Sequence, residues 1–188
     1  MQQIREEKKL LRKEIREIIT ERFLPQRKEI SCGICSRILE YKAYKEAKTV
    51  FLFVGTAREV DTLSILEDAW RSGKTVCVPR CIEGNQMALC HITSLNDLQS
   101  GAYGILEPAE NCPTLPHSAI DFALIPCLAC TREGDRLGKG GGYYDRFFEL
   151  YDGPAAMICP EMLILDYIPT EKYDKCVPHI ITEQHTIP

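Results

Sequence analysis

The sequence predicts an α/β fold: a single-domain three-layer sandwich, Rossmann-like in plan, with a mainly parallel central sheet flanked by helices. Three observations carry that expectation. Short apolar runs at 49–54, 74–78, 121–129 and 155–159 have the near-continuous hydrophobicity of strands buried on both faces. Helical patterns alternate with them, as βα units require. The chain has 188 residues, 45% of them hydrophobic, which is enough for one good core and too little for two large domains, so residues 1–188 are expected to form one unit.

The elements follow in order. Residues 4–24 read as a helix, with Leu11, Ile15 and Ile18 on an apolar stripe and Lys8, Arg12 and Arg16 recurring every fourth residue beside it. A second helix is expected from Ser31 to about Tyr44, then a strand from Thr49 to Val54 that ends at Gly55. Asp61 or Thr62 can cap a helix over Leu63–Ser72, which Gly73 ends, and Lys74–Val78 returns as a strand stopped by Pro79. Met87–Ile92 looks like a strand, Leu95–Gly101 a short helical or irregular stretch, and 108–116 a surface loop rich in Pro and Asn. A strand over Asp121–Ala129, a helix over Tyr143–Tyr151 and a final strand candidate at Ala155–Cys159 complete the pattern.

Charge and cysteine content narrow the function classes. The net charge is −4, but residues 1–30 carry a balance of +3, which leaves −7 for the rest. An acidic body gives no support to nucleic-acid binding. A basic arm beside it could close over a polyanionic small ligand, although a solvated helix face explains the same charges. No stretch approaches the roughly 20 apolar residues of a membrane span, and charge runs through the start of the chain, so a soluble, cytoplasmic protein without membrane contact is expected. No apolar interface announces itself, and a monomer is expected.

The ten cysteines are expected to be reduced, mostly as buried small hydrophobes. The alternative is metal binding through Cys32-Gly-Ile-Cys35 and Cys127-Leu-Ala-Cys130. Geometry argues against it, because strand positions three apart, such as 127 and 130, point to opposite faces.

The richest local signal is a glycine run. Five of the twelve glycines fall within nine positions, 134–142, and Tyr143-Tyr144-Asp145-Arg146 follows at once. Glycine permits positive φ and close backbone approach, so this run with Arg136 and Lys139 offers amides and positive charge to a phosphate chain, and Asp145 adds a hard oxygen suited to Mg²⁺. The run lies between a strand's carboxyl end and a helix N-terminus, where anions collect. It matches neither the Walker A spacing nor the dinucleotide fingerprint, and a surface hinge is the plain alternative. Glu59–Thr62, Arg80 and Arg132–Asp145 all follow strands, so one cleft is expected to gather them. Taken singly, Glu59 also fits a surface carboxylate, Asp61 or Thr62 a helix cap, and Arg80 a strand-end ion pair.

With these residues in view, the chain resembles the 5-formyltetrahydrofolate cyclo-ligase family, also called 5,10-methenyltetrahydrofolate synthetase, nearly end to end. The anchor is Gly134-x-Arg136-Leu-Gly138-x-Gly140-x-Gly142-Tyr-Tyr-Asp145-Arg. It is supported by Lys8-x-x-Leu11-Arg12, Glu59-Val-Asp-Thr62, Pro79-Arg80, Tyr103-Gly-Ile-Leu-Glu107-Pro108, Asp121 through Pro126 and Ile181-Thr-Glu183. The resemblance implies that ATP is held by Lys8, Lys9, Leu11, Arg12, Arg136, Leu137, Gly138, Lys139, Gly140, Gly141, Gly142, Tyr143 and Tyr144, with Mg²⁺ on Asp145 and Asp174. It implies folate contacts at Val54, Glu59 and Lys139 through Tyr143, and a catalytic set of Arg136, Lys139 and Tyr143. The implied reaction is ATP- and Mg²⁺-dependent conversion of 5-formyltetrahydrofolate to 5,10-methenyltetrahydrofolate, ADP and phosphate.

The chain departs from the family pattern in two places. Pro126-Cys-Leu-Ala-Cys-Thr131 stands where the family often reads Pro-Gly-x-Ala-Phe-Asp, and Tyr173 stands where a His commonly precedes the late Asp. Two other functions share the phosphate-loop features: a sugar-phosphate isomerase or acyl-CoA-transferring relative, and a nucleotide-binding regulatory module without turnover. One of Tyr143 and Tyr144 is expected to line a folate pocket and the other to pack under the loop, with core packing of both as the alternative.

Overall fold

A computed structural model describes residues 2–101 and 106–188. The apolar stripe of the first segment builds helix α1 (Gln2–Ile18), prolonged by a π turn at Ile19–Phe23 and a 3-10 turn at Leu24–Gln26. Ile15, Ile19 and Phe23, spaced four apart, are buried on one face.

Helix α2 (Arg27–Glu40) starts four residues before the expected Ser31, directly after the Pro25 turn, because Arg27, Lys28 and Glu29 continue the helix without a breaker. It also stops early, at extended Tyr41, and a one-turn helix α3 (Lys42–Glu46) follows. The break lets two aromatics anchor the helices on one ring. Tyr41 and Tyr44 meet Phe122 at centroid distances of 5.8 and 6.2 Å. Helix α4 (Leu63–Arg71) is capped by Asp61, whose Oδ1 accepts from the Leu63 N–H, while the Thr62 hydroxyl turns inward to donate to the Phe53 carbonyl. The last helix is α5 (Tyr143–Leu150), as expected.

Thirteen short strands complete the described chain: β1 (Thr49–Phe51), β2 (Thr75–Ile82), β3 (Gln86–Ile92), β4 (Leu98–Ser100), β5 (Leu106–Pro108), β6 (Thr114–Leu115), β7 (Phe122–Pro126), β8 (Ala129–Thr131), β9 (Arg136–Leu137), β10 (Ala155–Ile158), β11 (Ile164–Leu165), β12 (Ile180–Ile181) and β13 (Thr186–Ile187). Eight of them form the central sheet in the order β13-β12-β10-β7-β1-β2-β3-β6. The run β12-β10-β7-β1-β2 is parallel, and antiparallel pairs finish both edges. β8 pairs β9 and β11 in a separate small sheet, and β4 pairs β5.

Side-chain alternation gives the sandwich its layers. Phe51 stacks on Phe147 of α5 at 4.8 Å, while Phe122, in register with Val50, faces Tyr44 of α3 from the other side. Buried apolar residues from Ile15 to Ile181 join in one continuous cluster.

The structure departs from three strand expectations. Pro79 does not stop its strand, since β2 runs through it to Ile82. The next rung of the parallel ladder after Leu52 N–H to Cys77 O would need an N–H at residue 79, so Pro79 ends the pairing with β1 while β3 continues to pair on the other edge. The expected strand 121–129 is two strands in different sheets, because the chain turns away at Cys127. β10 is not final, because β12 extends the sheet beside it. Part of the Tyr103–Pro108 motif, residues 103–105, lies outside the described residues, and Leu106–Pro108 forms β5.

Candidate active site

A cleft of about 700 Å³ opens at the carboxyl ends of the parallel strands, with α1 as one wall and the 136–146 segment as another. The glycine run divides between two tasks. Gly134 (φ 94°) turns the β8–β9 hairpin, where an added Cβ would stand 2.6 Å from the Val177 carbonyl oxygen, and it does not line the cleft. Gly138 to Gly142 do line it. Gly142 (φ 68°) is the N-cap of α5 and places no side chain over the helix's first amides, which leaves them for an anion. Gly140 (φ 103°) lies close under Arg12, where an added Cβ would stand 3.4 Å from the guanidinium carbon.

α1 delivers its basic face to this loop. Arg5, Lys8 and Arg12, three and four residues apart, point the same way and line the cleft with Lys9. Arg12 Nε donates to the Gly138 carbonyl at 2.8 Å, and burial, with Arg16 nearby, lowers the pKa of its guanidinium. Lys8 is 6% exposed and ion-paired with Asp174. Asp174 also accepts from the Glu171 N–H at 2.6 Å, and Glu171 pairs with Arg5. Leu11 behaves differently from its neighbours: it packs on the core and does not line the cleft.

Across the cleft, Arg136 Nη2 donates to Asp145 Oδ1 at 2.9 Å, and the Lys175 N–H lies 3.4 Å from the same oxygen. The Arg136 guanidinium carbon sits 5.5 Å from the Tyr144 ring centre, and burial raises the pKa of that tyrosine. Tyr144 also meets Phe51 and Phe147, which places it under the loop against the sheet. Tyr143 lines the cleft beside Gly141.

The third wall is the loop after β1. Gly55 is needed there because a Cβ would fall 1.9 Å from the Val60 carbonyl oxygen. Glu59 is fixed by the Thr56 N–H at 3.1 Å and by Arg27, which donates to its carbonyl at 2.7 Å. Its other oxygen meets Lys139 Nζ at 2.8 Å, with Glu59 12% and Lys139 51% exposed, so the lysine is the movable partner. Val54 lines the cleft beside this loop.

The expected convergence is therefore partial. Glu59 and 136–145 meet, but Arg80 donates to the Ala109 carbonyl and Arg132 pairs with Glu161, both outside the cleft, and Thr62 braces Gly55. Sequence reasoning passed over Arg5, Glu171, Cys81 and Glu107. Arg5 carried a signal, its place one turn before Lys8, whereas Glu171, Cys81 and Glu107 reach the cleft only through tertiary folding.

Cys127 and Cys130 are not kept apart, contrary to the expectation from strand alternation. One straight strand would separate them, but Cys127 lies in the turn after β7 and Cys130 in β8, and their sulfurs lie with that of Cys159 within 4.8 Å of one another. Hydrogen bonds from the Cys127 and Cys159 thiols lower the pKa of Cys130. Cys32 and Cys35 are not part of the group.

Comparison with known proteins gives a consistent result. Residues 4–183 match the family model described as the 5-formyltetrahydrofolate cyclo-ligase family. The Escherichia coli 5-formyltetrahydrofolate cyclo-ligase is 27% identical over 163 residues, covering 84% of this chain and 90% of that one. The mouse enzyme of the same name is 25% identical over 190 residues, covering 94% and 93%. The solved structure of Aquifex aeolicus 5,10-methenyltetrahydrofolate synthetase superposes with a TM-score of 0.83 at 28% identity, covering 95% of this chain and 91% of its own.

Proposed function

The chain belongs to the 5-formyltetrahydrofolate cyclo-ligase family, and from that premise we propose that this cleft converts 5-formyltetrahydrofolate to 5,10-methenyltetrahydrofolate at the expense of ATP. One observation carries the assignment of residues: Lys8, Arg12, Arg136, Lys139, the Gly138–Gly142 amides and Glu59 all face a single cleft at the N-terminus of α5. Such a cluster of cations and amides suits a triphosphate, with room in the same cleft for the folate.

The chemistry asks for such a cradle. A formyl group on nitrogen is a poor electrophile, because the nitrogen donates into the carbonyl, and its oxygen is a poor leaving group. Transfer of the γ-phosphoryl group of ATP to that oxygen removes both faults. A second folate nitrogen then attacks the activated carbon, and phosphate departs to leave the cyclic methenyl cation. Lys8, Arg12 and Arg136 neutralise the triphosphate, while Lys139 and the loop amides hold the equatorial oxygens during transfer. Lys139 can swing from Glu59 to the phosphate because it is the exposed partner of that pair. Glu59, held by the Thr56 amide, then accepts hydrogen bonds from the pterin and orients it. Val54 and Tyr143 supply apolar contact to the folate.

Asp145 and Asp174 suit Mg²⁺, which takes one or two carboxylates together with substrate phosphates. The Lys175 N–H, next in the chain to Asp174, reaches the Asp145 carboxylate, and each carboxylate holds its cation through one oxygen, Oδ1 of Asp145 and Oδ2 of Asp174. When bound, Mg²⁺ supplies charge neutralisation at the phosphates; the positioning is the work of Arg136, Lys8 and the loop.

The direct test mixes purified protein, MgATP and 5-formyltetrahydrofolate, and follows the near-ultraviolet absorbance of the methenyl product together with ADP release. One ADP per methenyl product is expected. A flat trace with tight ATP binding favours a nucleotide-binding module without turnover instead.

A further inference from the structure

The Cys127, Cys130 and Cys159 thiols take no part in the reaction above, yet their sulfurs converge within 4.8 Å of one another at the meeting point of two sheets. The convergence is built by three backbone segments. β7 ends at Pro126 in register with Ile158 of β10, so the residues that follow, Cys127 and Cys159, emerge side by side; β8 then returns beneath them with Cys130. Cys130 and Cys159 are fully buried, and Cys127 is partly open and lines the 700 Å³ cleft. Among the described residues, this is the group of three or more His, Cys, Asp or Glu side chains whose donor atoms are close enough to share one ion.

The spacing matches a soft metal. Three sulfurs bound at about 2.3 Å to a trigonal ion stand roughly 4 Å apart, which the cluster reaches with shifts well under a bond length. Thiolates select thiophilic ions over the hard Mg²⁺ that the carboxylates suit. We propose that Cys127, Cys130 and Cys159 form a binding site for one thiophilic d¹⁰ metal ion, Cu(I) or Zn(II), entered from the cleft past Cys127. Binding exchanges thiol protons for three metal–sulfur bonds, with the protons released to solvent and no change of oxidation state. Three thiolates with either ion leave net negative charge. Arg136 lies near enough to Cys127 to offset it, and its buried Nε has no hydrogen-bond partner among the described residues. None of the three thiols is assigned a role in the folate reaction, although Cys127 shares the cleft with Arg136.

The test uses the full-length, reduced, chelator-stripped protein. Zn(II) is titrated against a chromophoric chelator in one arm, and Cu(I) under anaerobic conditions in the other. One equivalent per chain is expected in at least one arm, and the arm with the tighter endpoint identifies the ion. Alkylation followed by mass spectrometry should show Cys127, the partly open member, reactive in the metal-free protein and protected by the metal, while exposed Cys32, Cys81 and Cys176 stay reactive in both. Cys130→Ser should abolish the equivalent. Cys127→Ser, at the partly open position, gives the same readout if the buried change disturbs folding, which circular dichroism reports. No stoichiometric binding in either arm, or one equivalent retained in both serine variants, or protection of a different set of thiols overturns the proposal.

Discussion

Asp145 holds Arg136 through one oxygen, and Arg136 in turn lies over the Tyr144 ring, so three cleft residues are locked to one another before any ligand arrives. Asp145→Asn keeps an acceptor for the guanidinium and should cost about 1 kcal/mol of stability. Turnover at limiting Mg²⁺ should fall far more, about 100-fold or beyond, because the lost carboxylate is the one proposed to hold Mg²⁺ against the phosphates. Parallel denaturant melts and Mg²⁺ titrations of turnover check this, and an equal loss of both marks Asp145 as purely structural. The two tyrosines separate at the same scale. Tyr144, against Phe51 and Phe147, should lose about 3 kcal/mol of stability on truncation to Ala. Tyr143→Ala should leave stability nearly unchanged and raise the folate KM about tenfold, while Tyr143→Phe retains the affinity. A melt and a folate titration for each variant decide whether the roles are reversed.

At the scale of elements, the glycine run was legible as a candidate binding loop from its position between a strand and a helix, and Gly138–Gly142 do line the cleft, but its division was not legible. Gly134 and Gly140 both have positive φ, and what distinguishes them is where the chain leads: one closes the β8–β9 hairpin against Val177, and the other faces Arg12. Gly134→Ala should therefore destabilise the fold by about 2 kcal/mol or more and leave nucleotide affinity of the folded fraction intact. Gly140→Ala should lower ATP affinity more than stability. Isothermal titration with ATP, beside a thermal melt, reads both. The same limit explains the other departures from sequence expectation. Periodicity located α1, β3 and α5 closely, because each carries its own amphipathic or alternating pattern. It missed the break at Tyr41, the passage of β2 through Pro79 and the turn at Cys127, because each is decided by packing or pairing with another element: Phe122 for the first, β3 for the second, and β9 and β11 on either side of β8 for the third. Among the residues that line the cleft, Lys8, Arg12, Glu59 and Arg136–Asp145 were visible from motif and spacing, whereas Leu11 and Arg80 shared those motifs and serve packing or a backbone hydrogen bond instead.

On the scale of the whole molecule, the cleft draws most of its charges from three distant parts of the chain, α1, the 136–146 segment and the 171–174 turn, tied together by Lys8 to Asp174, Arg5 to Glu171 and Arg12 to Gly138, with Glu59 added from the loop after β1. The core beneath is equally shared, since Ile15, Ile19 and Phe23 belong to the cluster that includes the sheet. Residues 1–188 should accordingly unfold in one cooperative transition, with the first helix lost together with the rest. A ligand gripped by all three segments stabilises the folded state by mass action, about 2.7 kcal/mol at a concentration 100 times its Kd, which for a chain of this size raises Tm by roughly 5–10 °C. MgATP should produce that rise in the native protein. Lys8→Met removes one side of the cradle and leaves Asp174 with its Glu171 amide; its ligand-free melt will move on its own account, so the quantity to compare is the shift caused by MgATP. That shift should shrink by half or more. An undiminished shift would detach α1 from nucleotide binding, and an early transition that ignores MgATP would show that the helix is held to the sheet less firmly than the shared core implies.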